Sequence, residues 1–179
     1  MALMAIIGEL GAGKTLSLTY LAWRNWYYKK KKIYANYTLF GIPYVRIRRV
    51  SDLEKIRDGF LAYDELFVDL EATGSRSLKN RVIFNILRKS RKRNYSLVFT
   101  AQVLNTVDAR IRKILDFVAY PILNPRKTIC KLLIFNGPKP TVLLRTVYFR
   151  TAPIFRMYKT EEEVSELLDD VTAEIRKRK

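Results

Sequence analysis

The apolar positions of this chain fall into short unbroken runs separated by stretches with helical spacing. Ala2 to Ile7 reads Ala-Leu-Met-Ala-Ile-Ile, with no alternation. Such a run predicts a strand buried on both faces, as in a parallel sheet. From Thr15 to Lys32 there is no Gly or Pro, and Leu18, Leu21 and Ala22 recur at helical spacing. This predicts a helix ending on Lys29 to Lys32, where four lysines would complement the helix dipole. Ile33 to Tyr37 predicts a strand, and Gly41 to Arg49, broken by Pro43, a loop or short strand. Asp52 to Arg57 predicts a short helix capped by Ser51 or Asp52. Phe60 to Tyr63 is apolar again and ends in Asp64-Glu65.

The second half continues the alternation. Residues 72–77 are polar and read as a loop. Leu78 to Lys92 predicts a helix with Val82, Ile83, Ile86 and Leu87 on one face. Tyr95 to Ala101 predicts a strand that ends at Gln102, Val107 to Leu115 a helix, and Phe117 to Leu123 a strand closed by Pro125. Thr128 to Phe135 and Thr141 to Arg150 flank Asn136-Gly137-Pro138, which predicts an antiparallel hairpin. Thr160 would cap a last helix reaching about Lys179, with three glutamates in its first turn. Strands alternating with helices, followed by a hairpin, imply an α/β fold. It has a mainly parallel sheet flanked by helices and an antiparallel extension toward the C-terminus.

Composition narrows what such a domain can do. The chain has 179 residues, 49% of them hydrophobic, which suits one globular domain rather than disorder or two large units. It has no histidine, which excludes Ser-His-Asp triads and imidazole zinc sites, and a single cysteine, Cys130, which excludes an internal disulfide. No apolar run reaches the roughly 20 residues of a membrane span, and the N-terminus lacks the charged start of a signal peptide. A soluble, cytoplasmic protein is expected. The 34 Lys and Arg against 17 Asp and Glu leave a net charge of +17, which points to a polyanionic partner. Gln102 is the only glutamine, and that scarcity of thermolabile side chains beside many charges suits a hot environment.

One motif supplies chemistry. Gly8-Glu9-Leu10-Gly11-Ala12-Gly13-Lys14-Thr15 matches G-x-x-x-x-G-K-[ST] throughout. It follows an apolar strand and precedes a helix, the context in which this pattern is a phosphate-binding loop. The glycines let successive backbone N–H groups turn inward on phosphate oxygens, and the helix start adds its positive end. Lys14 is expected on the β- and γ-phosphates and the Thr15 hydroxyl on Mg²⁺.

Asp64 and Glu65 end an apolar strand downstream of that loop. A carboxylate there can hold Mg²⁺, the role assigned to Asp64. A second one can orient and polarise the water that attacks the γ-phosphate, the role assigned to Glu65. That glutamate argues for hydrolysis, and the absence of Asn-Lys-x-Asp favours ATP over a guanine nucleotide. Gln102, at the tip of its strand, would reach the γ-phosphate if that strand lies between the other two.

Taken together, the phosphate loop, the apolar strand ending Asp64-Glu65 and the basic run Arg88-Lys89-Ser90-Arg91-Lys92-Arg93 precede a strand ending Thr100-Ala101-Gln102. With Val107-Asp108-Ala109-Arg110-Ile111-Arg112 after them, they resemble the FtsK/HerA superfamily of P-loop ATPases over about residues 3–123. The likeness is greatest to Zot-like members and to the small genome-packaging ATPases of archaeal viruses and plasmids. The resemblance implies an ASCE/RecA-like fold and an ATP-driven motor that translocates double-stranded DNA. It also implies a homo-oligomer, usually a hexamer, with virion proteins as further partners. It implies Glu65 as base, Gln102 as sensor, and an arginine reaching into the neighbouring subunit's site. Arg88 and Arg91 are the first candidates for that arginine, with Arg76 behind them.

Residues 1–179 are expected to form one domain, a motor core at about 3–123 and a hairpin and helical extension at about 124–179. Larger relatives carry added domains for which there is no room before the first strand. DNA contact and ring assembly are therefore expected from the motor domain itself. Lys29 to Lys32, Arg46, Arg48, Arg49, Arg110, Arg112, Lys113 and Arg176 to Lys179 are available for phosphate contacts. Trp23, Trp26, Tyr27 and Tyr28 are expected to pack rather than stack on bases. Two other readings are a monomeric P-loop kinase, with Arg88, Arg91 and Arg93 clamping phosphates in cis, and an assembly protein switched by ATP.

Overall fold

The computed structural model describes residues 2–66, 84, 88–90, 92–107, 109–160 and 162. Its strands are β1 (Leu3–Ile7), β2 (Lys32–Ala35), β3 (Tyr44–Arg46), β4 (Gly59–Tyr63), β5 (Ser96–Ala101), β6 (Phe117–Leu123), β7 (Ile129–Asn136) and β8 (Leu143–Arg150). Among the described residues they make one eight-stranded sheet in the order β3-β2-β4-β5-β1-β6-β7-β8. The first six in that order run parallel, and β7 and β8 join antiparallel. The predicted α/β class with its antiparallel C-terminal extension is therefore observed.

Strand β1 explains how the sheet fills both faces. Leu3, Ala5 and Ile7 enter one core cluster with Leu61, Tyr63, Leu97 and Phe99. Met4 and Ile6 enter the other, with Leu16, Leu18 and Ala22 of helix α1 (Lys14–Lys29). Successive side chains of a strand point to opposite faces, so an unbroken apolar run is what a strand covered on both sides requires. Chain order does not follow sheet order. β5 lies between β1 and β4, its register running Leu3↔Leu97 on one side and Leu61↔Leu97 on the other. That is the arrangement on which the role of Gln102 depends.

Several local expectations shift. The helix predicted to Lys32 ends at Lys29, and Lys30 takes a left-handed C-cap at φ 52°, so Lys32 opens β2 instead. Only Lys29 is left in the last helical turn to meet the dipole. The second helix, α2, is Val50–Glu54 rather than 52–57. Asp52 stands inside it, accepting from the backbone N–H of Arg48 and Arg49, instead of preceding it as the cap. The helix predicted over 107–115 is a 3-10 turn at Leu104–Thr106 and a short helix at Ala109–Arg112. Apart from Thr160 and Glu162, the predicted last helix lies outside the described residues, as does most of the 78–92 helix. Gly137 lets the hairpin close against the sheet: a Cβ there would lie 2.2 Å from the Leu115 carbonyl oxygen.

Candidate nucleotide site

The phosphate loop leaves the carboxyl end of β1 and turns directly into α1. The Gly8 N–H donates to the Ala101 carbonyl at 3.3 Å and the Ala12 N–H to the Glu9 carbonyl at 3.2 Å. Gly13 is the N-cap of α1 with φ 93°, a left-handed conformation that a side chain would strain, and its Cβ would also press on Leu123 at 3.3 Å. No side chain caps the helix and its first turn holds no acid, so its N–H groups and its positive dipole end are open to an anion. Lys14 folds back over the loop, its Nζ donating to the Glu9 carbonyl at 3.0 Å. Burial lowers the Lys14 ammonium from its ordinary value, while Asp64 and Glu65 pull it back up. A desolvated lysine beside an uncapped helix start fits the phosphates of a nucleotide.

Asp64 and Glu65 sit at the carboxyl end of β4, on the other side of β5. Asp64 is 6% exposed. Its Oδ2 accepts from the Thr15 hydroxyl at 2.9 Å and its Oδ1 from the Thr100 hydroxyl at 2.6 Å. Burial raises its carboxyl above the ordinary value, and the two hydroxyls oppose that rise. Among the described residues no cage of three or more Asp, Glu, Cys or His side chains exists. One carboxylate beside one hydroxyl is nonetheless the donor set of Mg²⁺, a hard cation that completes its shell with substrate phosphates and water. Thr15 and Asp64 fit that ion.

Two residues of this site were given no role by the sequence. Asn36, buried just past β2, clamps the backbone of Asp64 from both sides. Its Nδ2 donates to the Asp64 carbonyl at 2.8 Å, and its Oδ1 accepts from the Asp64 N–H at 2.7 Å. Thr100 of β5 accepts from the Glu65 N–H at 2.7 Å while donating to Asp64. Glu65 stands at φ 53°, a left-handed conformation that costs a residue with a Cβ about 1–2 kcal/mol. The hydrogen bonds around it, each worth about 0.5–1.5 kcal/mol net, are enough to hold it there. A polar residue within or just beyond an apolar strand run was the available signal for both.

Gln102 follows Ala101, whose carbonyl accepts the Gly8 N–H, so it stands beside the first residue of the phosphate loop. It is exposed. The site thus joins Gly8 to Thr15, Asp64, Glu65 and Gln102 at one end of the sheet. Thr19 braces it from within α1, donating to the Thr15 carbonyl at 2.8 Å and pairing with the buried Tyr37 hydroxyl at 3.1 Å.

The arginines lie elsewhere. Arg88 is exposed and lines a 480 Å³ cleft with Leu3, Ser90, Lys113 and Asp116. Those residues mark the amino ends of β1 and β6, whereas the phosphate loop leaves the carboxyl end of β1. The Arg93 carbonyl accepts the N–H of Asp58, which leads into β4. Arg88 and Arg93 thus stand at the amino ends of strands whose carboxyl ends carry the phosphate loop and the acidic pair. Arg91 and Arg76 lie outside the described residues. Arg46, expected to be available to DNA, is committed to Glu162 at 2.7 Å. Glu162 also accepts from the Thr38 N–H at 2.7 Å. Trp23 and Trp26 pack against the core as expected, but Tyr27 and Tyr28 are 50% and 65% exposed.

No protein-family model matches the chain, and no curated protein does. Solved structures do. The chain is similar to the N-terminal domain of zonular occludens toxin from Neisseria meningitidis, with 13% identity and a TM-score of 0.59, over 88% of this chain and 98% of that one. It is also similar to the genome packaging NTPase of Sulfolobus turreted icosahedral virus 2, solved with ATP-γS. That match has 9% identity and a TM-score of 0.56, over 83% of this chain and 97% of the other. The chain carries the P-loop ATPase fold. The flagellar accessory protein FlaH from Methanocaldococcus jannaschii shares it at 12% identity and a TM-score of 0.53, over 83% of this chain and 84% of that one. The expected fold and the expected P-loop NTPase class agree with these structures.

Proposed function

We propose that this P-loop ATPase fold is a motor that hydrolyses ATP to move double-stranded DNA, acting as a ring-shaped homo-oligomer of the FtsK/HerA kind. Genome packaging for a virus or plasmid, in the host cytoplasm and in contact with virion proteins, is the role that suits it. All 179 residues then serve as one motor domain, with the hairpin and C-terminal segment as its extension. The observation that carries the reading is the insertion of β5 between β1 and β4. It gathers the phosphate loop, the acidic pair and Gln102 at one end of the sheet. The genome packaging NTPase among the similar structures supports the assignment.

In this reading the loop amides and Lys14 bind the β- and γ-phosphates of ATP. Thr15 and Asp64 would hold Mg²⁺, which supplies neutralisation of the phosphate charge. Asp64, buried and bonded on both oxygens, is held rigid for that task. Glu65, just outside it, orients the attacking water and accepts its proton as the oxygen–phosphorus bond forms and the bond to ADP breaks. Gln102 contacts the γ-phosphate. An arginine from the next subunit, Arg88 or Arg91, stabilises the charge of the transition state. Arg88 stands at the end of the sheet remote from its own loop, which suits action in trans.

Substituting Glu65→Gln tests the hydrolytic assignment. Nucleotide affinity is retained while turnover falls by at least about 100-fold. A variant that binds and hydrolyses ATP like the parent would overturn it. A second reading, implied by the resemblance to Zot-like members, is an assembly protein switched by ATP. That protein would hydrolyse one ATP per assembly step, with no response to DNA.

A further inference from the structure

The charge of +17 is not spread evenly over the molecule. One dense share of it stands where the parallel strands begin, and a second, Arg126 to Lys159 with eight basic residues and no acid, lies along the antiparallel extension. Three stretches lead into the neighbouring strands β2, β4 and β5, whose first residues align as Lys32↔Gly59 and Phe60↔Ser96. They are Lys29-Lys30-Lys31-Lys32, Lys55-Ile56-Arg57-Asp58 and Lys92-Arg93-Asn94-Tyr95. Together they hold eight basic residues against one acid, Asp58, and Asn94 donates to that carboxylate at 2.6 Å. The connection between the Asp58 N–H and the Arg93 carbonyl, 3.1 Å, ties two of the stretches side by side. Adjacent strands are about 4.8 Å apart, so three of them mount these charges on a ledge about 10 Å wide at the backbone. At the other ends of β1 and β4 the charged residues are Glu9, Lys14, Asp64 and Glu65.

A helix-dipole role does not account for this ledge, because only Lys29 lies in the last turn of α1. Lys55 is paired with Asp52 at 3.5 Å, and the repulsion among the other like charges costs stability that an anionic partner offsets. Aromatic rings steady the lysine stems: Lys30 Nζ lies 5.4 Å from the Tyr27 ring centroid and Lys32 Nζ 5.3 Å from that of Tyr34. Leu53 and Ile56 are buried, which fixes the backbone from which Lys55 and Arg57 project. The ledge presents rows of ammonium and guanidinium groups and no base-reading pattern. That chemistry suits a phosphodiester backbone contacted without regard to sequence.

We infer that the ledge formed by Lys29 to Lys32, Lys55, Arg57, Lys92 and Arg93, at the end of the sheet remote from ATP, is the surface that grips the backbone of duplex DNA. The inference rests on the reading of the chain as a DNA motor and gives that motor its contact face. The Arg88–Lys113 cleft beneath β1 and β6 remains for the neighbouring subunit.

The test compares two variants of equal charge in the full chain. One carries Lys31→Gln, Lys32→Gln, Lys55→Gln and Lys92→Gln on the ledge. The other carries Arg126→Gln, Arg150→Gln, Arg156→Gln and Lys159→Gln, on exposed residues outside it. Binding of a short fluorescent duplex is followed by anisotropy across a salt series, with basal ATP hydrolysis measured alongside. The ledge variant keeps basal hydrolysis and loses about 0.9 of log–log salt slope per lost contact. Its affinity at about 0.1 M salt drops at least tenfold, whereas the other variant stays within about twofold of the parent. Equal losses in both variants, or a loss only in the second, overturn the ledge while leaving DNA as partner. No duplex binding by the parent chain overturns the DNA reading itself, and with it the ledge. Ledge-dependent binding to phosphatidylserine vesicles without DNA binding would assign the surface to a membrane instead and overturn the inference.

Discussion

Thr15 donates its hydroxyl proton to Asp64 across 2.9 Å, joining the end of the phosphate loop to the end of strand β4. The bond brings together two groups 49 positions apart in sequence, and it pairs the only two side chains proposed for Mg²⁺. It also keeps a buried carboxylate in a place where ionisation is unfavourable.

Asp64→Asn separates these two effects. The folded Asp64 carboxyl titrates above its unfolded value, with burial as the main cause. The folded state therefore holds the proton more tightly, and stability declines as pH rises through the window from the unfolded value near 3.8 to the folded one. At neutral pH the charge is a cost that Asn removes. The variant is expected to melt higher, by about 2–4 °C for each kcal/mol of relief. It is also expected to lose hydrolysis. Calorimetry at pH 7 beside an ATPase assay checks both, and a lower melting temperature would mean that the carboxylate stabilises the fold.

Asn36 makes a separate claim. Its amide satisfies both backbone groups of Asp64, and Asn36→Ala leaves that N–H and carbonyl buried without it. The cost is about 1–3 kcal/mol per orphaned group when water does not reach it. Urea unfolding is expected to shift by at least about 2 kcal/mol, with hydrolysis falling as the acidic turn loosens. An unchanged midpoint would show that the clamp carries no load.

The site was legible in the sequence where its residues are contiguous. Gly8 to Thr15 announces itself because successive backbone amides must be supplied by one short segment, and Asp64-Glu65 because carboxylates close an apolar strand. Asn36 and Thr100 were not legible as site residues: each acts through a neighbour strand, and strand order is set by crossovers that leave no local pattern. The parallel sheet itself followed from unbroken runs such as Ala2 to Ile7. The Arg46–Glu162 pair spans 116 positions, so Arg46 read as available. Residues 107–115 read as one helix from their apolar spacing. In the fold, Val107, Ile111 and Leu115 are buried while only 109–112 are helical, because packing under the sheet does not require a continuous helix.

A site shared between subunits makes a prediction about mixtures. Arg88→Ala and Lys14→Ala chains are each expected to be inactive alone. Mixed equally, roughly a quarter of the interfaces in a cyclic ring would pair an intact loop with an intact arginine. Activity should reappear on mixing, at about that fraction of the parent rate. A mixture as inactive as its components would remove Arg88 from the role and leave Arg91 as the candidate.

The central claim is that hydrolysis at Glu65 drives movement along DNA, and it meets its most direct test in the steady-state ATP hydrolysis rate with and without linear duplex DNA. The account predicts a rate that rises severalfold on adding duplex and returns to its basal value as salt is raised and the phosphate contacts are lost. A basal rate that duplex DNA leaves unchanged at low salt would contradict it.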